Sequence, residues 1–95
     1  MEYQLRIYDV RNGEMDAWID EWKHHVAPLR QAKGFEIVGA WRGVDERSFV
    51  WILGYDGDLA TADDVYFGSP DRQRLDPDPA RHIERDQHRM LRRVL

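Results

Sequence analysis

The eight residues from Ser48 to Tyr55 read SFVWILGY, and they constrain the fold more than any other stretch of the chain. Phe49, Trp51, Leu53 and Tyr55 alternate with Val50 and Ile52, so a strand here is apolar on both faces. A strand of that kind is central and covered on each side. With 95 residues the chain has room for one core, so residues 1–95 are expected to form a single domain. A domain this small buries only about two-thirds of the surface exposed by its unfolded chain, and self-association is an easy way to bury more.

The remaining elements follow from periodicity. Tyr3, Leu5 and Ile7 alternate with Gln4, Arg6 and Tyr8, which predicts a first strand ended by the turn at Arg11-Asn12-Gly13. Met15, Trp18, Ile19, Trp22, Val26 and Leu29 then fall on one helical stripe, with Asp16, Asp20, Lys23 and His24 opposite. Pro28 lies inside that helix and predicts a kink or a break, and Gly34 is placed to cap it. A second strand over Phe35 to Arg42 would put Phe35, Ile37, Gly39 and Trp41 on one face. Leu59 to Phe67 reads as a second helix, and Asp71 to Pro79 as loop or a short helical turn. The segment from Ala80 to Leu95 suits either a helix face or a charged edge strand. The order is β-α-β-β-α with an undecided last element. If that element is a strand, the fold is α+β and ferredoxin-like, with a four-stranded antiparallel sheet.

In such a fold both helices cover one face of the sheet. Whichever face of the third strand looks away from them is apolar, and a patch carrying Phe49, Trp51, Leu53 and Tyr55 exceeds what monomers usually expose. A second copy packed sheet against sheet about a two-fold axis solves this, so a homodimer is expected. On that assignment Trp51→Arg would disrupt the dimer.

Several stretches resemble the NIPSNAP family of dimeric α/β-barrel domains. Gln4-Leu5-Arg6-Ile7-Tyr8 matches the strand-one pattern of a polar residue, Leu, Arg, any residue and Tyr. Gly34-Phe35 with Gly39-Ala40-Trp41, and Asp78-Pro79 with Ile83-Glu84 and Met90-Leu91-Arg92, continue the likeness over nearly the whole chain. The resemblance implies that Ile83 to about Leu91 is the fourth, edge strand, and that the chain forms a homodimer. It brings no reaction with it. Family members commonly carry Glu where this chain has Gln4, which removes a potential acid or base, and the Pro-rich tail that often follows is absent after Leu95.

Composition excludes several function classes. There is no cysteine, which rules out disulfides and thiolate metal sites and fits a reducing cytoplasm. The first residues, MEYQLRIYDV, lack the apolar core of a secretory signal, and no run approaches the ~20 apolar residues of a membrane span. The net charge of -4 argues against a nucleic-acid binder. Seven arginines from Arg72 onward (Arg72, Arg74, Arg81, Arg85, Arg89, Arg92, Arg93) face Asp76, Asp78, Glu84 and Asp86 and are expected to form a solvated, ion-paired surface.

Chemistry-bearing residues concentrate on strand one. If Leu5 and Ile7 face the helices, Gln4, Arg6 and Tyr8 project into the space between two paired sheets. Arg6 there needs a carboxylate or an anionic ligand, because its guanidinium stays charged. Tyr8 can donate to a ligand, and Trp41, Trp51 and Tyr55 can line a flat hydrophobic cavity; each of these aromatics can equally be plain core. His24 and His25 point ~100° apart on a helix and cannot clamp one metal ion. His25, at the margin of the apolar stripe, is the histidine candidate for a cavity opening, while His82 and His88 are expected at the surface. No metal site or cofactor is expected. The resulting expectation is a homodimer that binds a small hydrophobic or aromatic ligand through Arg6, Tyr8, His25, Trp41, Trp51 and Tyr55. The alternative is a cofactor-independent oxygenase, isomerase or cyclase.

Overall fold

The computed structural model describes residues 1–95. Its strands are β1 (Glu2–Val10), β2 (Glu36–Arg42), β3 (Ser48–Tyr55) and β4 (Ile83–Leu91). They form one sheet in the order β2-β3-β1-β4, with every neighbouring pair antiparallel. The helical segments are α1 (Met15–Glu21), a π turn (Trp22–Val26), α2 (Ala27–Ala32), α3 (Leu59–Gly68) and α4 (Pro70–Gln73). The fold is therefore ferredoxin-like α+β, and the undecided last segment is the edge strand. Asp58 starts α3 by accepting a hydrogen bond from the Thr61 amide, as an N-cap residue should.

The register decides which face of each strand meets the helices. Arg6 stands opposite Trp51 on β3 and His88 on β4, and Tyr8 stands opposite Phe49 and Asp86. Gln4, Arg6, Tyr8 and Val10 are all buried, together with Phe49, Trp51 and Leu53. Tyr8, Val10, Phe49, Trp51 and Leu53 belong to one core cluster with Trp18, Trp22, Val26 and Tyr66 from the helices. Aromatic edges meet faces throughout this core, as in the Trp22–Trp51 pair with ring centroids 5.5 Å apart.

This overturns the face assignment made from the pattern. Leu5 and Ile7 do not face the helices. They lie with Tyr3, Val50 and Ile52 on the opposite, open face and are only half-buried. Phe49, Trp51 and Leu53 are consequently core residues of the single chain, not an interface patch. Of the polar residues of β1, Arg6 and Tyr8 point inward to meet Asp63 and Trp18 of the helices, and Gln4 is joined to Arg6.

Two local irregularities also depart from simple periodicity. In β2 the register shifts between Ile37 and Gly39, so Val38 is an extra residue without a cross-strand partner. Ile37 pairs with Leu53 on the helix side, whereas Gly39 and Trp41 pair with Ile52 and Val50 on the open side. Trp41 lies across Gly39 so closely that a Cβ at Gly39 would come within 2.7 Å of its ring. In the first helix the expected break at Pro28 takes the form of the π turn, where the Ala27 amide reaches back to the Trp22 carbonyl. Pro28 has no amide to donate and its ring crowds the preceding turn, which a wider turn relieves. Gly34, at φ 93°, follows the helix as expected.

Candidate functional site

Between the sheet and the helices lies a cavity of about 290 Å³. Its walls come from every layer of the fold: Arg6 and Tyr8 from β1, Trp51 from β3, Trp18, Val26 and Arg30 from the first helix, and Tyr66 from α3. Arg72, Pro79 and Ile83 close one side, and Asp86 and His88 of β4 stand at the exposed rim.

Strand one supplies a polar ladder. Gln4, Arg6 and Tyr8 alternate on one face of β1, so their side chains lie in a row. Arg6 Nε donates to Gln4 Oε1 at 2.9 Å, and Arg6 Nη1 lies 3.5 Å from the Tyr8 hydroxyl. Arg6 Nη2 donates to Asp63 Oδ1 on α3 at 2.6 Å. Asp63 falls four residues after the buried Leu59 and three before the buried Tyr66, which turns it toward the sheet.

Arg30 meets the same carboxylate oxygen. Its Nη1 is 2.7 Å from Asp63 Oδ1, yet it is off the direction of a hydrogen bond, and its Nε has no partner at all. The interaction is thus an ion pair by distance that leaves guanidinium donors unsatisfied. The guanidinium carbon lies 3.7 Å from the centre of the Tyr66 ring and 4.7 Å from that of Phe35, so aromatic faces replace water around it. Arg6 is 2% and Arg30 1% exposed, against 18% for Asp63. Burial, and then the Arg6 charge, push the Arg30 guanidinium below its ordinary pKa, while Asp63 acts in the opposite sense.

The third arginine, Arg72, belongs to α4. Ser69 caps that short helix by accepting from the Arg72 amide, and its hydroxyl donates to the Tyr66 carbonyl at 2.7 Å. Arg72 Nη2 donates to Asp78 Oδ1 at 2.8 Å. The expectation of a solvated arginine surface fails at this residue, which is buried.

Other donors around the cavity also lack acceptors: Trp18 Nε1, Trp51 Nε1 and the Tyr66 hydroxyl are buried without hydrogen-bond partners. Burial pushes the Tyr66 hydroxyl pKa up, which keeps it a donor. At the rim, burial and the Arg6 charge lower the His88 pKa and favour the neutral ring, although Asp86 Oδ2 lies 3.3 Å from its Nε2.

Of the residues picked out from sequence, the structure brings Arg6, Tyr8 and Trp51 together. Trp41 is on the open face and 54% exposed, because the Val38 bulge turned it over. Tyr55 packs on Phe35 and borders a separate hollow with Lys33 and Asp58. His25 is exposed beside a groove near Pro77, away from the cavity. His82, expected at the surface, is 5% exposed and held between Glu14 and Glu21. Sequence reading passed over Arg30, Asp63, Tyr66 and His88 as site residues. A charge on the line of an apolar stripe was the available signal for Asp63. For Arg30 that signal was masked. In an unbroken α-helix Arg30 would sit about 120° from Trp18, whereas one residue absorbed by the π turn brings it back to roughly 20°.

Comparison with known proteins places this architecture. The NIPSNAP family model matches residues 3–55, from the start of β1 to the end of β3. The chain belongs to the NIPSNAP family. Among NIPSNAP structures, an uncharacterised domain protein from Burkholderia xenovorans is 16% identical, with a TM-score of 0.83 over 99% of this chain and 95% of the other. Protein Atu4242 from Agrobacterium tumefaciens is 19% identical, with a TM-score of 0.85 over 99% and 94%. An antibiotic biosynthesis monooxygenase shares the fold at 15% identity, with a TM-score of 0.73 over the whole of both chains. No curated protein matches the chain. No helix of this NIPSNAP chain is long and apolar enough to cross a membrane, and no group of three or more His, Asp or Glu side chains is arranged to hold a metal ion.

Proposed function

We propose that this NIPSNAP chain is a homodimeric binding protein that holds a small hydrophobic or aromatic ligand between its sheet and its helices. The observation that carries the reading is the cavity of about 290 Å³, walled by Tyr8, Trp18, Trp51 and Tyr66 and furnished with a few polar groups. That is the makeup of a small-molecule site: apolar walls for affinity and sparse donors for orientation. The ligand space lies within one protomer rather than between two sheets, since Arg6, Tyr8 and Trp51 all face the helices.

The homodimer rests on the other face. Tyr3, Leu5, Ile7, Val50 and Ile52 form a half-buried apolar field that no helix covers, with the C-terminal Arg93 over the Tyr3 ring, and it is extended by Val38, Trp41 and Leu91. Arg85, Gln87 and Arg89 of β4 border it with polar groups. A two-fold-related copy would cover this field. Native mass spectrometry of protein purified from its own host tests both parts. A dimer carrying a reproducible small-molecule mass is expected; a monomer, or a dimer that neither retains a ligand nor takes up added aromatic compounds, would overturn the corresponding part.

One observation favours a second reading, a cofactor-independent oxygenase or isomerase. His88 stands at the cavity rim with its neutral form favoured, so it could accept a proton from a bound substrate. The likeness in fold to the antibiotic biosynthesis monooxygenase is compatible with such chemistry but does not assign it. Loss of turnover in His88→Gln with unchanged ligand affinity would distinguish this reading from simple binding.

A further inference from the structure

The charges around the cavity do not balance locally, and this says something about the ligand. Arg6 and Arg30 come from different elements, are almost wholly buried, and share a single oxygen of one carboxylate, Asp63. The next group along the ladder, Gln4, offers Arg6 a neutral amide oxygen and cancels no charge. Arg72 is occupied by Asp78. Asp86 stands at the exposed rim beside His88, where solvent screens it. Two buried guanidiniums are therefore left with one carboxylate between them. A buried cation without its own counter-charge costs several kcal/mol unless something else supplies the negative charge.

The hydrogen-bond inventory points the same way. Arg30 Nε, the Tyr66 hydroxyl, Trp18 Nε1 and Trp51 Nε1 are buried donors without acceptors, and all four side chains line the cavity. Native proteins rarely leave such groups unmade, and four around one cavity constitute a site that lacks acceptors. A guanidinium with free donors suits a carboxylate or another oxyanion, and the aromatic walls suit a flat apolar body.

Resting on the ligand-binding reading above, we infer that the ligand is an aromatic acid whose anionic oxygens are held by Arg30 and Tyr66, beside Arg6. The carboxylate completes the counter-charge that Asp63 only half provides. The ring lies against Trp18 and Trp51.

The test compares 2-naphthoate with the uncharged 2-naphthamide, two probes of nearly the same shape, by quenching of tryptophan fluorescence and by calorimetry on the full chain. The acid is expected to bind at least about tenfold more tightly than the amide, one charge-assisted hydrogen bond being enough for that difference. Arg30→Met should abolish the preference. Because that variant can also lose stability, Gln4→Glu provides a second reading: it adds a carboxylate next to Arg6, keeps the shape, and should reduce the preference for the acid severalfold. Equal binding of acid and amide would overturn the inference while leaving the cavity reading intact. A preference for the acid unchanged in both variants would show that the charge is read elsewhere and would overturn it too. Binding of neither probe would count against the ligand-binding reading itself, and the inference would fall with it.

Discussion

The two faces of the sheet invert the usual relation between polarity and burial. Toward the helices β1 presents Gln4, Arg6 and Tyr8, which are polar and buried. Away from them it presents Tyr3, Leu5 and Ile7, which are more apolar and yet only half covered. An ordinary two-layer domain would be built the other way round. The inversion gives the helix side a cavity with polar groups as well as a core, and it leaves the apolar side without a helical layer in the single chain. It also explains why hydrophobic alternation in β1 points to the wrong face.

Substitutions on the helix side should have the largest effects. Trp51→Ala should destabilise the domain by about 3–5 kcal/mol, since Trp51 is enclosed by Trp22, Tyr8 and the buried arginines. Trp51→Arg should leave the chain largely unfolded by circular dichroism, instead of producing a folded monomer. Asp63→Asn comes next, at roughly 3 kcal/mol, because it strands both Arg6 and Arg30 without a counter-charge. Urea unfolding measures this, and a change below about 1 kcal/mol would mean that the pair is compensated by other groups.

The open face should respond differently. Ile52→Arg places a charge in the apolar field beside Leu5 and should weaken self-association more than about a hundredfold, because two-fold symmetry introduces it twice. The chain should stay folded and still bind 2-naphthoate. Sedimentation velocity together with fluorescence titration separates these outcomes, and loss of ligand binding in a folded monomer would tie the two faces together.

A smaller effect concerns the cluster that fastens the start of β4 to the first helix. Glu21 accepts from both nitrogens of the Arg81 fork and from His82, and the Arg81 hydrogen bonds hold its carboxyl below the usual value of 4.5. A carboxylate whose pKa is lowered by folding adds stability above its unfolded pKa, and that stability is lost as pH falls through the folded value. Glu21→Gln should therefore be less stable than the parent at neutral pH, and the gap should close at pH well below 4.5. Urea midpoints at the two pH values report it. Least affected should be His25→Ala, whose exposed ring lies outside the cavity. A change within about 0.5 kcal/mol and an unaltered 2-naphthoate affinity are expected.

Much of the architecture was legible because it depends on local pattern. The double-sided apolar run at Phe49–Leu53, the helical stripe from Met15 to Val26 and the turn residues between elements are properties of neighbouring residues. The site was legible only in part. Arg6, Tyr8 and Trp51 stood out by residue type within strands, whereas Arg30, Asp63 and Tyr66 lie on helices, where charge and aromaticity fit an ordinary surface or core. Trp41 was misplaced for the same reason that Arg30 was missed. Each lies just beyond one extra residue, Val38 in β2 and the π turn in the helix, and a single insertion changes the facing of everything that follows it.

Sequence alone determined the element order, the central position of β3, the capping turns and, through the stretches resembling NIPSNAP, the edge strand at Ile83–Leu91. It also determined that β3 is apolar on both faces, since Phe49 and Trp51 alternate with Val50 and Ile52. Only the tertiary structure decided which face the helices cover. That choice depends on α2 and α3 bringing Arg30 and Asp63 over β1, where Arg6 can be buried against a carboxylate. Side-chain alternation fixes that two faces differ; the long-range partners that meet each face decide which of them is inside.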